Sequence, residues 1–490
     1  MTSEKAIDAA RNLFHAYDIR IDRSDLDDEV FIRLCDAEAA YFRSVLKTDS
    51  VIICRDTREK SSHYLQLAID RFVESGFRVE ASLDPVSTCQ FYYSAIKRPD
   101  HAGIMITASH NPPEYTGEKI VGLGCEPVAG GVGPSGGLDA IRAFFLDGVS
   151  MPAGRKGSLS VFRESDEYAS FSIGYAGLEG KTLGRIRILA DFMSGSSGYE
   201  IMRAFQMLGA HIEAINAVPD GTFPSGTPNP VVRKNIERTL GIAEKMRGDF
   251  DFLFIFDGDG DRIAIFDSDL EFISPSVIVS FIADALSSLP GGGFSAGLDS
   301  KAVPFASRAL EDKGFTPILI PNGHSVIKNM IRKGMISFAS EETAHYYLKL
   351  ERDGHGYPYE STLLVALLFS SCWERDPRPL EKLIARQRSV FSKPEWSCFF
   401  SSDEERANAI SSVRRGFEDD GYSIQDTLPD GSPLGASIMT KSDEDGWCRL
   451  TLRSSQSEKG LMRMMLYASS QALLSQAEER IGRIIKGESR

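Results

Sequence analysis

The sequence predicts an α/β protein with mixed or parallel sheets. Short apolar runs recur along 490 residues, and stretches with helical spacing follow several of them. The composition, 42% hydrophobic and 25% charged, is that of an ordinary globular chain. Such sheets put ligand sites just beyond the carboxyl ends of their strands, so the strand-end loops are where chemistry is sought.

In chain order, residues 1–5 lead into an amphipathic stretch with no apolar signal core. Val51-Ile52-Ile53-Cys54 reads as a strand, and residues 64–74 as the helix after it. Further strands are expected at residues 77–80, 103–107, 185–190, 252–256, 263–266, 317–320, 334–338 and 448–452. The longest purely apolar run, residues 363–369, is far too short to cross a bilayer and reads as part of a buried helix. Boundaries are expected in the glycine-rich residues 122–137, at Met151-Pro152-Ala153-Gly154, and across a transition bracketed by Asp376-Pro377-Arg378-Pro379 and Lys393-Pro394. Residues 289–293 read as a loop inside a domain.

The net charge of −14 argues against a general nucleic-acid binder or a polybasic membrane protein. It says nothing against a small anionic ligand, which feels only the local field. Seven scattered cysteines without a C-x-x-C fit a reducing cytoplasm rather than a disulfide framework or structural zinc. No G-x-x-x-x-G-K-[ST] loop is present, so a nucleotide P-loop is not supported.

Four loops carry chemistry. Asp257-Gly258-Asp259-Gly260-Asp261-Arg262 follows an apolar strand. Carboxylates at alternate positions, spaced by glycine, can bend round one hard cation such as Mg²⁺ or Ca²⁺. An EF-hand is a poor match, because Arg262 stands where its glycine belongs and Ser268 where its bidentate Glu belongs. Thr107-Ala108-Ser109-His110-Asn111-Pro112-Pro113 ends another strand and can present Ser109 as an exposed nucleophile beside His110; an ST-turn is the bland alternative. Asn322-Gly323-His324-Ser325 and Ser340-Glu341-Glu342-Thr343-Ala344-His345 offer partners for sugar hydroxyls, or are simply polar loops. Arg453-Ser454-Ser455-Gln456-Ser457-Glu458 suits a phosphate cradle, or a polar turn capping a helix that starts near Gly460. Arg55-Asp56-Thr57-Arg58 offers either two further cations or an internal Arg–Asp pair.

Taken together, these segments resemble the α-D-phosphohexomutase family, in its phosphomannomutase/phosphoglucomutase branch. The resemblance runs from Phe14 to about Ser457. It rests on F-x-A-Y-D-I-R at residues 14–20, T-A-S-H-N-P-P-E-Y from Thr107, Lys119 shortly after, D-G-D-G-D-R, G-H-S-x-I-K from Gly323 to Lys328, and E-x-T-x-H from Glu341. Thr222-Phe223-Pro224 and Pro228-Asn229-Pro230 add to it. The order and spacing of the set are far more specific than any one motif.

The resemblance implies three similar mixed-sheet α/β domains plus a smaller C-terminal α+β domain around a central cleft. The domains are expected at residues 1–156 (phosphoserine loop), 157–268 (metal loop), 269–388 (sugar-binding loop) and 389–490 (phosphate-binding loop). It implies Ser109 as a phosphoserine whose phosphate, with Asp257, Asp259 and Asp261, binds one Mg²⁺ per chain. Hexose 1-phosphate and hexose 6-phosphate of mannose or glucose would interconvert, with hexose 1,6-bisphosphate as activator and intermediate. His110, Lys119, Arg20 and His345 stand with Ser109 in the catalytic set. Tyr17, Arg262, Lys301, His324, Glu341, Thr343, Arg453, Ser455, Gln456 and Ser457 are expected to bind substrate. The expected partners are small sugar phosphates, with no nucleic acid and no membrane, for a cytoplasmic monomer or homodimer.

The chain departs from the family pattern at several positions. The sugar loop G-E-x-S-G-H reads Ser340-Glu341-Glu342-Thr343-Ala344-His345, so two glycines that permit positive φ or close approach are lost. Ile21 and Cys54 replace glycines, and Ser457 replaces a threonine. The alternatives are a glucosamine or N-acetylglucosamine phosphate mutase, a sugar-phosphate-binding homologue without turnover, and a metal-dependent phosphatase.

Overall fold

The computed structural model describes residues 3–22, 24–150, 156–454 and 459–486. Four sheets follow one another along the chain. The first holds β1 (Ile19–Asp22), β2 (Ser50–Arg55), β3 (Arg78–Ala81), β4 (Ala102–Ile106), β5 (Tyr115–Val121), β6 (Pro127–Val128) and β7 (Ser158–Val161). The second holds β8 (Arg187–Asp191), β9 (His211–Ile215), β10 (Phe252–Phe256), β11 (Ile263–Asp267) and β12 (Phe272–Ile273). The third holds β13 (Ser295–Asp299), β14 (Thr316–Ile320), β15 (Phe338–Glu341), β16 (His345–Arg352) and β17 (His355–Glu360). The fourth, wholly antiparallel, holds β18 (Phe391–Phe399), β19 (Ser423–Thr427), β20 (Pro433–Asp443), β21 (Gly446–Ser454) and β22 (Leu461–Ala468).

The first three sheets repeat one topology. Their orders are β1-β5-β4-β2-β3, β12-β11-β10-β8-β9 and β17-β16-β15-β13-β14. In each, two parallel pairings join three strands, and a hairpin then returns antiparallel from the third of them. These hairpins are β4–β5, β10–β11 and β15–β16. Three of the four chemistry-bearing loops therefore occupy the same position in successive copies of one unit. β7 and β12 lie just past the expected junctions at 156 and 268.

The parallel strands are apolar because helices cover both faces. All five residues of β4 and of β10 are buried. Residues 363–369 are buried throughout, in the helix Thr362–Arg375. A continuous apolar cluster runs from Ile52 through Phe254 to Tyr359, so the α/β units share an interior.

Three expectations are corrected. Residues 334–337 form a turn after the helix His324–Arg332, with Gly334 at φ +73°, so the strand begins only at Phe338. Leu461–Ala468 is a strand rather than a helix; its methionine-rich run packs between β18 and β21, and pairing decided what periodicity left open. Lys393-Pro394 lies inside edge strand β18, where the register shifts between Lys393 and Trp396. A residue without an N–H is tolerated at such an irregularity.

Candidate active site

The turn between β4 and β5 is built around Ser109. Thr107 Oγ1 accepts the Ser109 N–H at 2.9 Å, the bond of an ST-turn, and Ser109 adopts φ +50°. A left-handed non-glycine residue is a form of stored strain. Arg58 holds this turn from behind. Its guanidinium donates to the carbonyls of Ser109 (2.7 Å), Asn111 (2.7 Å), Pro112 (2.7 Å) and Tyr115 (3.0 Å), and to Asp56 (3.1 Å). The Arg–Asp pair weighed from the sequence is thus present, and the same arginine frames the serine loop. Ser109 is buried rather than exposed, only 1% accessible, because this loop is packed on the next one. Its Oγ lies 3.2 Å from His110 Nδ1. Burial, then the charges of Arg262 and Arg20, push His110 well below its usual range, so its ring is neutral.

The β10–β11 loop lies against that turn. A Cβ on Gly258 would stand 3.1 Å from the Ser109 carbonyl, and one on Gly260, at φ +72°, only 2.6 Å from Ser197 Cβ. Glycine lets the carboxylates between them converge. Asp257 Oδ1 accepts from the Arg262 N–H (3.1 Å), and Asp259 Oδ2 from Thr88 Oγ1 (2.6 Å) and Lys119 (2.7 Å). Asp261 Oδ2 accepts from Lys119 as well. The other oxygen of each, Asp257 Oδ2, Asp259 Oδ1 and Asp261 Oδ1, is buried without a hydrogen bond. The three carboxylates offer oxygens within 4.8 Å of one another. An all-oxygen set with one oxygen per carboxylate free of hydrogen bonds fits a hard divalent cation. Burial, then repulsion from Asp261 and Asp259, pushes Asp257 well up. Against the opposing pull of burial, Asp259 and Asp261 raise Lys119.

The β15–β16 loop closes the site from the third unit. Arg262 Nε donates to His345 Nε2 at 3.0 Å. Guanidinium is a donor only, so His345 accepts there and carries its proton on Nδ1. Burial, then Arg262 and Lys119, keeps His345 well below its usual range. Its Nδ1 faces Asp261 (3.7 Å) and Glu360 (4.0 Å), and these three residues cluster closely enough to hold a cation only once Nδ1 gives up that proton. Lys328 already pairs with Glu360 at 2.9 Å, however. Ala344 sits at φ +69°: the positive φ that glycine would satisfy is kept and is borne by alanine. Glu341 accepts from the Gly323 N–H (3.1 Å) and from Tyr347 Oη. Thr343 and Lys301 line a cavity of about 740 Å³.

Two residues of the first unit complete the convergence. Tyr17 Oη donates to the Asn322 carbonyl at 3.2 Å, with its ring 6.4 Å from that of His324. Arg20 bridges Asp18 (2.6 Å) and Asn111 Oδ1 (2.8 Å). Arg453, in the fourth unit, is turned onto Glu395 at 2.8 Å. Ser455, Gln456 and Ser457 lie outside the described residues. The structure adds residues that sequence reading missed as site components: Thr88, Glu360, Glu395 and Arg463. None has a local signature, since each gains its meaning only from a partner distant in sequence. Lys328 stood in a quoted motif that named it but not what it touches, and Arg58 in one that pointed to Asp56 but not to the Ser109 turn.

Three family profiles match in order: "Phosphoglucomutase/phosphomannomutase, alpha/beta/alpha domain I" at residues 11–128, domain II at 166–270 and domain III at 277–390. A phosphomannomutase of Vibrio cholerae is 27% identical over 389 residues, 77% of this chain and 80% of its own. A phosphoglucomutase of Neisseria meningitidis is 28% identical over 345 residues, 69% of this chain and 71% of its own. The crystal structure of a phosphoglucomutase/phosphomannomutase family protein from Burkholderia thailandensis superimposes with a TM-score of 0.80 at 23% identity, covering 97% of both chains. That last likeness speaks to the fold.

Proposed function

The chain belongs to the phosphoglucomutase/phosphomannomutase family as a phosphohexomutase enzyme, and on that premise we propose that it interconverts the 1- and 6-phosphates of mannose or glucose through phosphorylated Ser109. The observation that carries this reading is the packing of the Ser109 turn on residues 257–262, whose three aspartates each keep one buried oxygen without a hydrogen bond. Asp257, Asp259 and Asp261, with a phosphate oxygen on Ser109, would hold one Mg²⁺. When bound, it supplies the charge neutralisation that phosphoryl transfer needs.

The remaining roles fall to the chain's own groups. Ser109 Oγ gives its phosphoryl group to the free hydroxyl of a hexose 1-phosphate, forming the 1,6-bisphosphate. After the sugar turns over, the other phosphate returns to Ser109. Lys119, Arg20 and His345 are the candidates for proton transfer or hydroxyl activation at the reacting end, Arg20 by charge alone; neutral His110 orients the serine. Tyr17 and His324 wall the cleft, Glu341 and Thr343 face the sugar, and Lys301 lies near the substrate. Arg453, with residues 455–457, takes the phosphate that is not reacting. No helix among the described residues is long and apolar enough to cross a membrane. The seven free thiols suit a reducing cytoplasm.

The test is direct. The protein is incubated with Mg²⁺, a trace of hexose 1,6-bisphosphate, and in turn mannose, glucose or N-acetylglucosamine 1-phosphate. Conversion of the mannose or glucose ester, with total sugar phosphate conserved, supports the reading. Conversion of the N-acetylglucosamine ester alone moves it to the sibling substrate. Release of inorganic phosphate makes the chain a phosphatase, and no conversion of any ester removes the enzymatic reading.

A further inference from the structure

Arg453 on β21 and Arg463 on β22 are direct cross-strand partners. Like charges directly opposite one another are destabilising unless an anion lies between them. Glu395, on neighbouring β18, supplies one. Arg453 Nε reaches Glu395 Oε2 at 3.1 Å, and Nη2 reaches Oε1 at 3.1 Å and Oε2 at 2.8 Å. Arg463 Nη1 meets Oε1 at 3.1 Å. Lys301, across the joint with the third unit, adds its field to theirs: against burial, Arg453 and Lys301 hold the Glu395 carboxyl below its usual range. Glu395, Arg463 and Lys301 line the same cavity as Thr343. The Lys301 segment is fixed there by the fourth unit, since Tyr467 Oη donates to the Lys301 carbonyl (3.0 Å) and Thr451 Oγ1 to that of Ser300 (2.8 Å).

We propose that Glu395 is the resident counter-ion of the anion seat that the reading above gives to the non-reacting phosphate, lying between Arg453 and Arg463 with Lys301 across the joint, and that this phosphate displaces it. The identity of the ligand rests on the mutase reading above. The Nε/Nη2 edge of Arg453 is fully used by the carboxylate, so phosphate and Glu395 cannot share it. A dianion with three acceptor oxygens gains more from two guanidiniums and an ammonium than a monoanion does. Glu395 thus lowers the repulsion between the paired arginines while the seat is empty of ligand, and it sets a threshold that weak anions do not pass.

The probe is inorganic phosphate, titrated calorimetrically into the intact protein. The seat's contribution is defined as the binding that Arg453→Gln removes. Glu395→Gln is expected to bind phosphate several-fold more tightly than wild type, and Arg463→Gln several-fold more weakly. Glu395→Asp, which retains the charge but retracts it, guards against a folding failure of the first variant and is expected to shift binding the same way by less. Equal or weaker phosphate binding in the Glu395 variants overturns the proposal and makes Glu395 a residue that orients Arg453 for its ligand. Because the readout needs no turnover, a wild type that converts no hexose phosphate but shows these shifts loses the mutase reading and keeps the seat.

Discussion

Lys119 Nζ, from the first unit, lies 2.7 Å from Asp259 Oδ2 in the second. It also reaches Asp261 Oδ2. A buried ammonium therefore shares the carboxylates of the proposed cation site and would oppose a divalent ion there by like-charge repulsion. Lys119→Met is expected to tighten Mn²⁺ binding at the triad, read by electron paramagnetic resonance, while turnover falls by about 10²–10⁴-fold. If metal affinity and turnover fall together, Lys119 is only a strut of the loop.

Arg58 is the frame of the Ser109 turn, through four backbone carbonyls and Asp56. Arg58→Ala leaves the buried Asp56 without a counter-charge, which costs about 3–5 kcal/mol. Denaturant unfolding reads that loss. Removing Asp56 as well, in Arg58→Met/Asp56→Leu, is expected to recover part of the stability but not the phosphorylation of Ser109. A double variant that phosphorylates normally would show that the turn needs no frame.

Ala344 carries a left-handed backbone at φ +69° where the family pattern has glycine. Ala344→Gly relieves that conformation and is expected to stabilise the protein by about 1 kcal/mol, the side-chain penalty being offset in part by glycine's entropy. A lower melting temperature would mean that buried Ala344 contributes more through packing than it costs in strain.

Glu38 and Glu118 are buried in the first unit without a hydrogen-bond donor among the described residues. Burial, then each other's proximity, raises Glu38; burial raises Glu118. The folded chain thus holds protons that the unfolded chain releases near pH 4.5, so this pair makes stability fall as pH rises above about that value. Glu118→Gln is expected to flatten the decline and to be the more stable form in mildly alkaline solution. Parallel stability–pH curves for the two proteins would contradict the protons assigned to the folded pair.

The fold class was legible because buried parallel strands write themselves as apolar runs, as at residues 252–256. The three site loops were legible because glycine, proline and charge cluster where a hairpin leaves the sheet. The threefold repeat of strand order was not, since topology persists after residue identity is lost. Leu461–Ala468 escaped because methionines serve a helix or a strand equally, and its neighbours decided between them. Glu395 escaped because a lone glutamate in an edge strand carries no sign of the two arginines waiting across the sheet.

The account turns on Ser109 as the phosphoryl carrier. The measurement that tests it most directly is the intact mass of the protein after incubation with Mg²⁺ and glucose 1,6-bisphosphate. A gain of one phosphoryl group in wild type, lost on adding excess hexose phosphate and absent from Ser109→Ala, is the predicted result. A wild type that gains nothing, or a Ser109→Ala variant that gains the same mass, would contradict it.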